Sequence, residues 1–169
     1  MYEATFRQMK KMLGQLDKWL EMAKAHAESK SADPKAFLEM RLAPDQFPFL
    51  RQVQTTCDTA KLAISRLTGK EAPVNSDTEQ SIDDLRARVR TTISYLEGFS
   101  ANDFIGAESR RITQPRWEGK VMTGGDYFLE HAVPNFFFHL THAYAILRHA
   151  GVPIGKRDYL GTLSLHAPS

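Results

Sequence analysis

Only one cysteine, Cys57, occurs in the 169 residues. No intramolecular disulfide can form, which fits a reducing compartment, and the expected location is cytoplasmic. No uninterrupted apolar run is long enough to cross a bilayer, so no membrane partner is expected. The N-terminus is charged within three residues and lacks the apolar stretch of a signal peptide. An excess of charge of one sign is also missing, since the formal net charge is +2. Lys and Arg are spread among Asp and Glu, and no reading motif is present. Both facts argue against nucleic acid as a partner. Internal repeats and low-complexity segments are absent as well. What is present is an ordinary hydrophobic content of 42%, enough for a core in one domain over residues 1–169.

Four segments carry helical periodicity. In residues 2–26, Phe6, Met9, Leu13, Leu16, Leu20 and Ala23 recur at three- and four-residue steps. A second helix is expected from Pro44, because proline is tolerated in a first turn. Its stripe is Phe49, Leu50, Val53, Cys57, Ala60, Ile64 and Leu67, and Gly69 suits the residue just past its end. Ser76-Asp77-Thr78-Glu79 reads as a capping box for a third helix bearing Ile82, Leu85, Val89, Ile93 and Leu96. The connection over residues 99–124 is too long for a simple turn. Within it, residues 111–117 and 120–123 flank Glu118-Gly119, the pattern of a short β-hairpin. Residues 126–150 form a fourth, nearly all-apolar helix, which predicts burial on most sides. Pro134 inside it predicts a bend or break near residues 130–134, with His131 on a separate turn. The expected fold is all-α, a four-helix bundle with a long crossover between the third and fourth helices.

Four of the six histidines lie on this last helix: His131, His139, His142 and His149. Imidazole suits metal ligation and proton transfer near neutral pH. At helical spacing Asn135 and His139 stack on one face, and His139 and His142 are also neighbours. Gln46 falls on the apolar stripe of the second helix, so its amide needs a partner. The expected ligand pocket is therefore Gln46, Asn135, His139 and His142, with His139 and His142 as candidate catalytic groups. Each histidine also has an ordinary reading as a core residue with one satisfied hydrogen bond. Cys57 sits in the core stripe with nothing nearby to lower its pKa, so it reads as an inert thiol. Gly151-Val152-Pro153-Ile154-Gly155-Lys156-Arg157 is not a P-loop. It is one residue short, lacks Ser or Thr after the lysine and follows a helix. Arg110, Arg111, Arg116 and Lys120, with Trp117, could make a basic patch.

The run Pro134-Asn135-Phe136-Phe137-Phe138-His139-Leu140-Thr141-His142, continuing through Leu147-Arg148-His149-Ala150-Gly151-Val152-Pro153 to Gly155-Lys156-Arg157-Asp158-Tyr159-Leu160-Gly161, resembles the C-terminal signature of an uncharacterised family. That family is a domain of unknown function within the DinB/YfiT-like superfamily. Leu42-Ala43-Pro44-Asp45-Gln46-Phe47-Pro48 with Arg51-Gln52-Val53-Gln54 resembles its second-helix signature. The resemblance implies an antiparallel-type DinB-like four-helix bundle, often a homodimer. It also implies descent from a superfamily described as metalloenzymes, with one histidine ligand on the second helix and a His-x-x-x-His pair on the fourth. Some branches are thiol-dependent transferases or hydrolases. The pair falls at Asn135 and His139, so only its second position is histidine here. The second helix has no histidine at all. No cofactor is therefore expected, and His139 is the one metal candidate.

Three readings follow for the function. The first is an uncharacterised DinB-like protein with a small-molecule pocket at Asn135, His139 and His142. The second is a divergent enzyme using a divalent transition metal, a hydrolase or thiol transferase, in which Gln46 or Gln52 joins His139 and His142. The third is a non-catalytic dimeric interaction module.

Overall fold

A computed structural model describes residues 1–168. Its long helices are α1 (Tyr2–Ser29), α2 (Phe49–Thr68), α3 (Ile82–Glu97) and α4 (Val133–His149), followed by the short α5 (Lys156–Leu160). α2 packs against α3 and α4, and α1 against α3 and α4. Side-chain pairs fix the helix directions. Asp17 meets Arg86 and Lys24 meets Asp83, so α1 and α3 run oppositely. Gln52 meets His139, Thr59 meets Asn135 and Arg66 meets Tyr127, so α2 runs against α4 and its lead-in. Phe6 on Phe128 and Trp19 on Tyr144 make α1 and α4 run the same way. It follows that α2 and α3 are parallel. The core between them is apolar and closed, with Trp19, Phe49, Leu67, Phe128 and Phe136 fully buried.

A parallel pair of neighbours needs a connection that returns along the bundle. Residues 70–80 supply it as irregular chain. At about 3.3 Å per extended residue the run can retrace α3. It is tied down as it goes: Tyr95 donates to the Glu71 carbonyl, and Arg88 pairs with Asp77 and Glu79. The expected capping box at Ser76 and Glu79 is therefore not formed. Glu79 is drawn to Arg88 and Gln54 instead. The cap is Ser81, whose hydroxyl accepts from Asp84 N, while Asp84 returns a bond to Gln80 N.

The connection into α4 holds the expected hairpin, reduced to β1 (Arg111–Ile112) and β2 (Met122–Thr123), paired antiparallel. Glu118 and Gly119 both have positive φ at its tip. Gly124 lets this loop approach the helix ends, because a Cβ there would collide with the Ala107 carbonyl. The last helix does not break at Pro134. A helical turn at Gly124–Asp126 leads into a π-helical turn, Tyr127–Ala132, and then α4. Pro134 has no N–H for the Glu130 carbonyl, and wider π spacing accommodates that gap. Asp126, Ala132 and Val133 keep right-handed helical dihedrals, so His131 stays on the continuous helical path and not on a separate turn.

Candidate functional site

The seam between α2 and α4 is apolar except for one polar line. Gln52, Thr56 and Thr59 follow each other at helical steps along α2, and all three are buried. Thr56 and Thr59 donate back to the carbonyls of Gln52 and Thr55. That leaves the Thr59 oxygen free to accept from Asn135 Nδ2 at 2.7 Å. One turn further, His139 Nδ1 lies 2.8 Å from Gln52 Oε1. Gln52 Nε2 donates to the Phe47 carbonyl at 3.0 Å, so its Oε1 must accept. The network thus assigns the His139 proton to Nδ1. Its Nε2 has no partner among the described residues and reaches the surface.

Burial, then the neighbouring His142 and Arg51, push the His139 pKa down to about 4. The ring is neutral at physiological pH, with a lone pair on Nε2. Phe47 stacks on it at 6.2 Å, and Phe138 meets it edge-on at 5.1 Å. Both phenylalanines are exposed, at 50% and 53%. His142 packs on Phe138 at 4.1 Å and donates its Nδ1 proton to the Phe138 carbonyl at 2.7 Å. Its Nε2 is also without a partner among the described residues. Two imidazoles on adjacent positions of one face therefore commit Nδ1–H to the protein and leave Nε2 unpartnered among the described residues.

Gln46 does not belong to this group. The chain over residues 44–48 is a turn, Pro48 caps α2, and the helix begins only at Phe49. Gln46 Oε1 accepts from Leu42 N at 3.3 Å and closes that turn. The residue that meets His139 from α2 is Gln52. A depression of about 280 Å³ beside Asn135 is lined by Glu130, His131, Pro134, Asn135 and Phe138, and His139 is not in its wall. His149 is exposed at the end of α4, away from the seam. Cys57 is fully buried, and burial pushes its thiol up to about 12, so it has no nucleophilic character.

A second cluster lies at the other end of the seam. Arg66 donates to the Tyr127 hydroxyl at 3.0 Å and lies over its ring. Tyr127 stacks on His131 at 5.4 Å, and Trp117 from the hairpin meets both rings edge-on. Arg116 donates to His131 Nε2. This leaves the proton on Nδ1, which is buried without an acceptor. Burial, then Arg116 and Arg66, hold the His131 pKa below its ordinary value. Of the basic patch read from sequence, Arg116 joins this cluster, while Arg110 donates to the Leu67 carbonyl and anchors the loop.

The donor set does not fit a three-histidine metal site. Asn135 offers an amide already bonded to Thr59, and Gln52 offers an amide oxygen already bonded to His139. Such neutral oxygens are poor zinc ligands. Among the described residues no group of three or more His, Cys, Asp or Glu side chains is arranged to hold a metal ion.

Among the described residues no helix is long and apolar enough to cross a membrane. No curated protein matches the chain. One solved structure it resembles is the crystal structure of a DinB family member protein from Shewanella denitrificans. The two are 48% identical with a TM-score of 0.93, over 96% of this chain and 93% of that one. The family model described as domain of unknown function DUF1993 matches residues 1–160. With the all-α bundle and its match to a DinB family member, the chain belongs to the DUF1993 family, a domain of unknown function in the DinB-like fold.

Proposed function

We propose that this protein binds a small molecule at the surface end of the α2–α4 seam, through His139 and His142. One observation carries the reading: His139 is a neutral imidazole whose Nδ1 is pinned by Gln52 and whose Nε2 is unpartnered among the described residues, with Phe47 stacked on the ring and Phe138 edge-on to it. A buried ring held this way is a preorganised hydrogen-bond acceptor. Flanking aromatic faces favour a flat, apolar ligand that carries an O–H or N–H donor. Asn135 borders the same face and serves as a secondary contact. Phenol is a suitable probe. Titrated into labelled protein, it should shift the His139 Nε2 resonance saturably, and His139→Gln should abolish the effect. No response at His139 in the unmodified protein would overturn the reading.

A divergent metal-dependent hydrolase or thiol transferase is the second reading. It draws on the committed Nδ1–H of both histidines, with Nε2 unpartnered among the described residues, the arrangement usual for metal-bound imidazoles. It lacks a third strong donor. A homodimer is proposed across the same face, where Phe47 and Phe138 are exposed beside His139. Sedimentation as a monomer at micromolar concentration would remove that proposal. A cytoplasmic setting accords with the lone, buried thiol.

A further inference from the structure

We propose that Arg66, Arg116, Gln114 and His131 form a binding site for a small oxyanion, a carboxylate or a phosphate, separate from the ligand proposed at His139. Among the described residues, eight other basic side chains pair with a carboxylate, from Lys24 to Arg90. Arg66 and Arg116 do not. Their acceptors are a phenol hydroxyl and a neutral imidazole. His131 then points an N–H into a buried space with nothing to accept it. Gln114, nearly buried, adds its amide 3.5 Å from the same ring. Arg116 and Gln114 thus meet the ring at Nε2, Arg66 meets the tyrosine stacked on it, the N–H on the other ring edge goes unanswered, and no anion answers the two guanidiniums.

That state is costly. A buried unpaired donor loses hydration without gaining a bond, and two like charges beside one ring repel. An oxyanion seated between the two guanidiniums accepts from them and neutralises their charge, which relieves the repulsion beside the ring. Glu118, Asp126 and Glu130 are the acids beside Arg116 and His131 in sequence. All three are exposed, and none pairs with Arg66 or Arg116. Space is available on the hairpin side, where a cavity of about 480 Å³ is walled by Arg116, Trp117, Glu118, Lys120, Val121 and Met122, with Arg116 the one of the four proposed residues that lines it. The π-helical turn carries Tyr127 and His131, and such turns are often found at binding sites. His131 and His139 are two helical turns apart, about 12 Å along the axis, so the two sites can be filled and tested separately.

The test is an NMR titration of the full-length, isotope-labelled protein with inorganic phosphate and, separately, with acetate. Ionic strength is held constant with sodium chloride. A saturable shift of the His131 ring signals is expected, with the His131 titration midpoint rising and His139 unmoved. Arg116→Gln should weaken the binding at least about tenfold, and Arg66→Gln likewise. Arg116 is exposed, so that variant should keep the fold, as circular dichroism would register. Response to phosphate alone assigns a phosphate site, and response to both assigns a general oxyanion site. If neither anion moves His131 beyond what chloride does, or if Arg116→Gln binds as tightly as the unmodified protein, the proposal fails.

Discussion

Gln52 on α2 accepts the Nδ1 proton of His139 on α4 at 2.8 Å, and so ties the two helices together one turn from the Asn135–Thr59 bond. Both side chains are buried. Replacing Gln52 with Leu leaves the His139 N–H without an acceptor. Stability should fall by about 1–3 kcal/mol, the usual cost of one orphaned buried donor. Denaturant unfolding measures this. Gln52→Glu keeps the bond and places a carboxylate against the ring, so the His139 pKa should rise, as NMR titration would detect.

The same contact gives stability a pH dependence. The His139 pKa is about 4 in the folded protein, and an exposed histidine has its ordinary value of 6.5. Between these values the unfolded chain binds the proton and the folded chain does not. Stability from this group is therefore full above 6.5, falls as pH drops toward 4, and changes no further below that. Urea unfolding at a series of pH values should show the decline in the unmodified protein, and a shallower one in His139→Gln. His131 is shifted in the same direction, and His131→Gln should remove its share.

Arg88 is only 4% exposed and pairs with Asp58, Asp77 and Glu79. It joins α2, α3 and the returning run of residues 70–80. Arg88→Met would leave Glu79 without a cationic partner, while Asp58 keeps Lys61 and Asp77 keeps Arg51, and should cost about 1–3 kcal/mol. The run should also open locally. Hydrogen exchange and limited proteolysis over residues 70–80 would reveal this, and unchanged protection there would contradict the role assigned to Arg88.

Local signals made much of the bundle readable. The stripe from Phe6 to Ala23 gave α1, and Gly69 does end α2, at φ 75°. The errors came where distant partners decide. Ser76 and Glu79 have the spacing of a cap, but Arg88 lies far along the chain and captures Glu79. Pro44 has the local character of a helix start, but the cap is Pro48, and Gln46 stays in the turn before α2. Gln52, Thr56 and Thr59 were a legible signal for the real partner of His139, being polar residues on one face of an apolar stripe. The meeting of Arg116 with His131 was not legible. It depends on a hairpin folding back over a π turn, and nothing in local spacing encodes that.

Metal content is the most decisive remaining measurement. We expect protein purified without added metal to carry well under one equivalent of zinc, nickel or iron. A tight catalytic site usually has three good protein ligands. Asn135 and Gln52, at the seam, are neutral amides engaged with Thr59 and His139. His139 and His142 could supply two nitrogens, since both leave Nε2 without a partner, but no cysteine or carboxylate stands with them among the described residues. Adding zinc should therefore give weak, pH-dependent binding that competes with protonation of the two rings. Elemental analysis decides the matter. Stoichiometric metal that vanishes in His139→Ala would overturn the expectation. It would make His139 a ligand in place of a hydrogen-bond acceptor, and it would require Gln52 to hold the ring as the outer partner of a metal-bound imidazole.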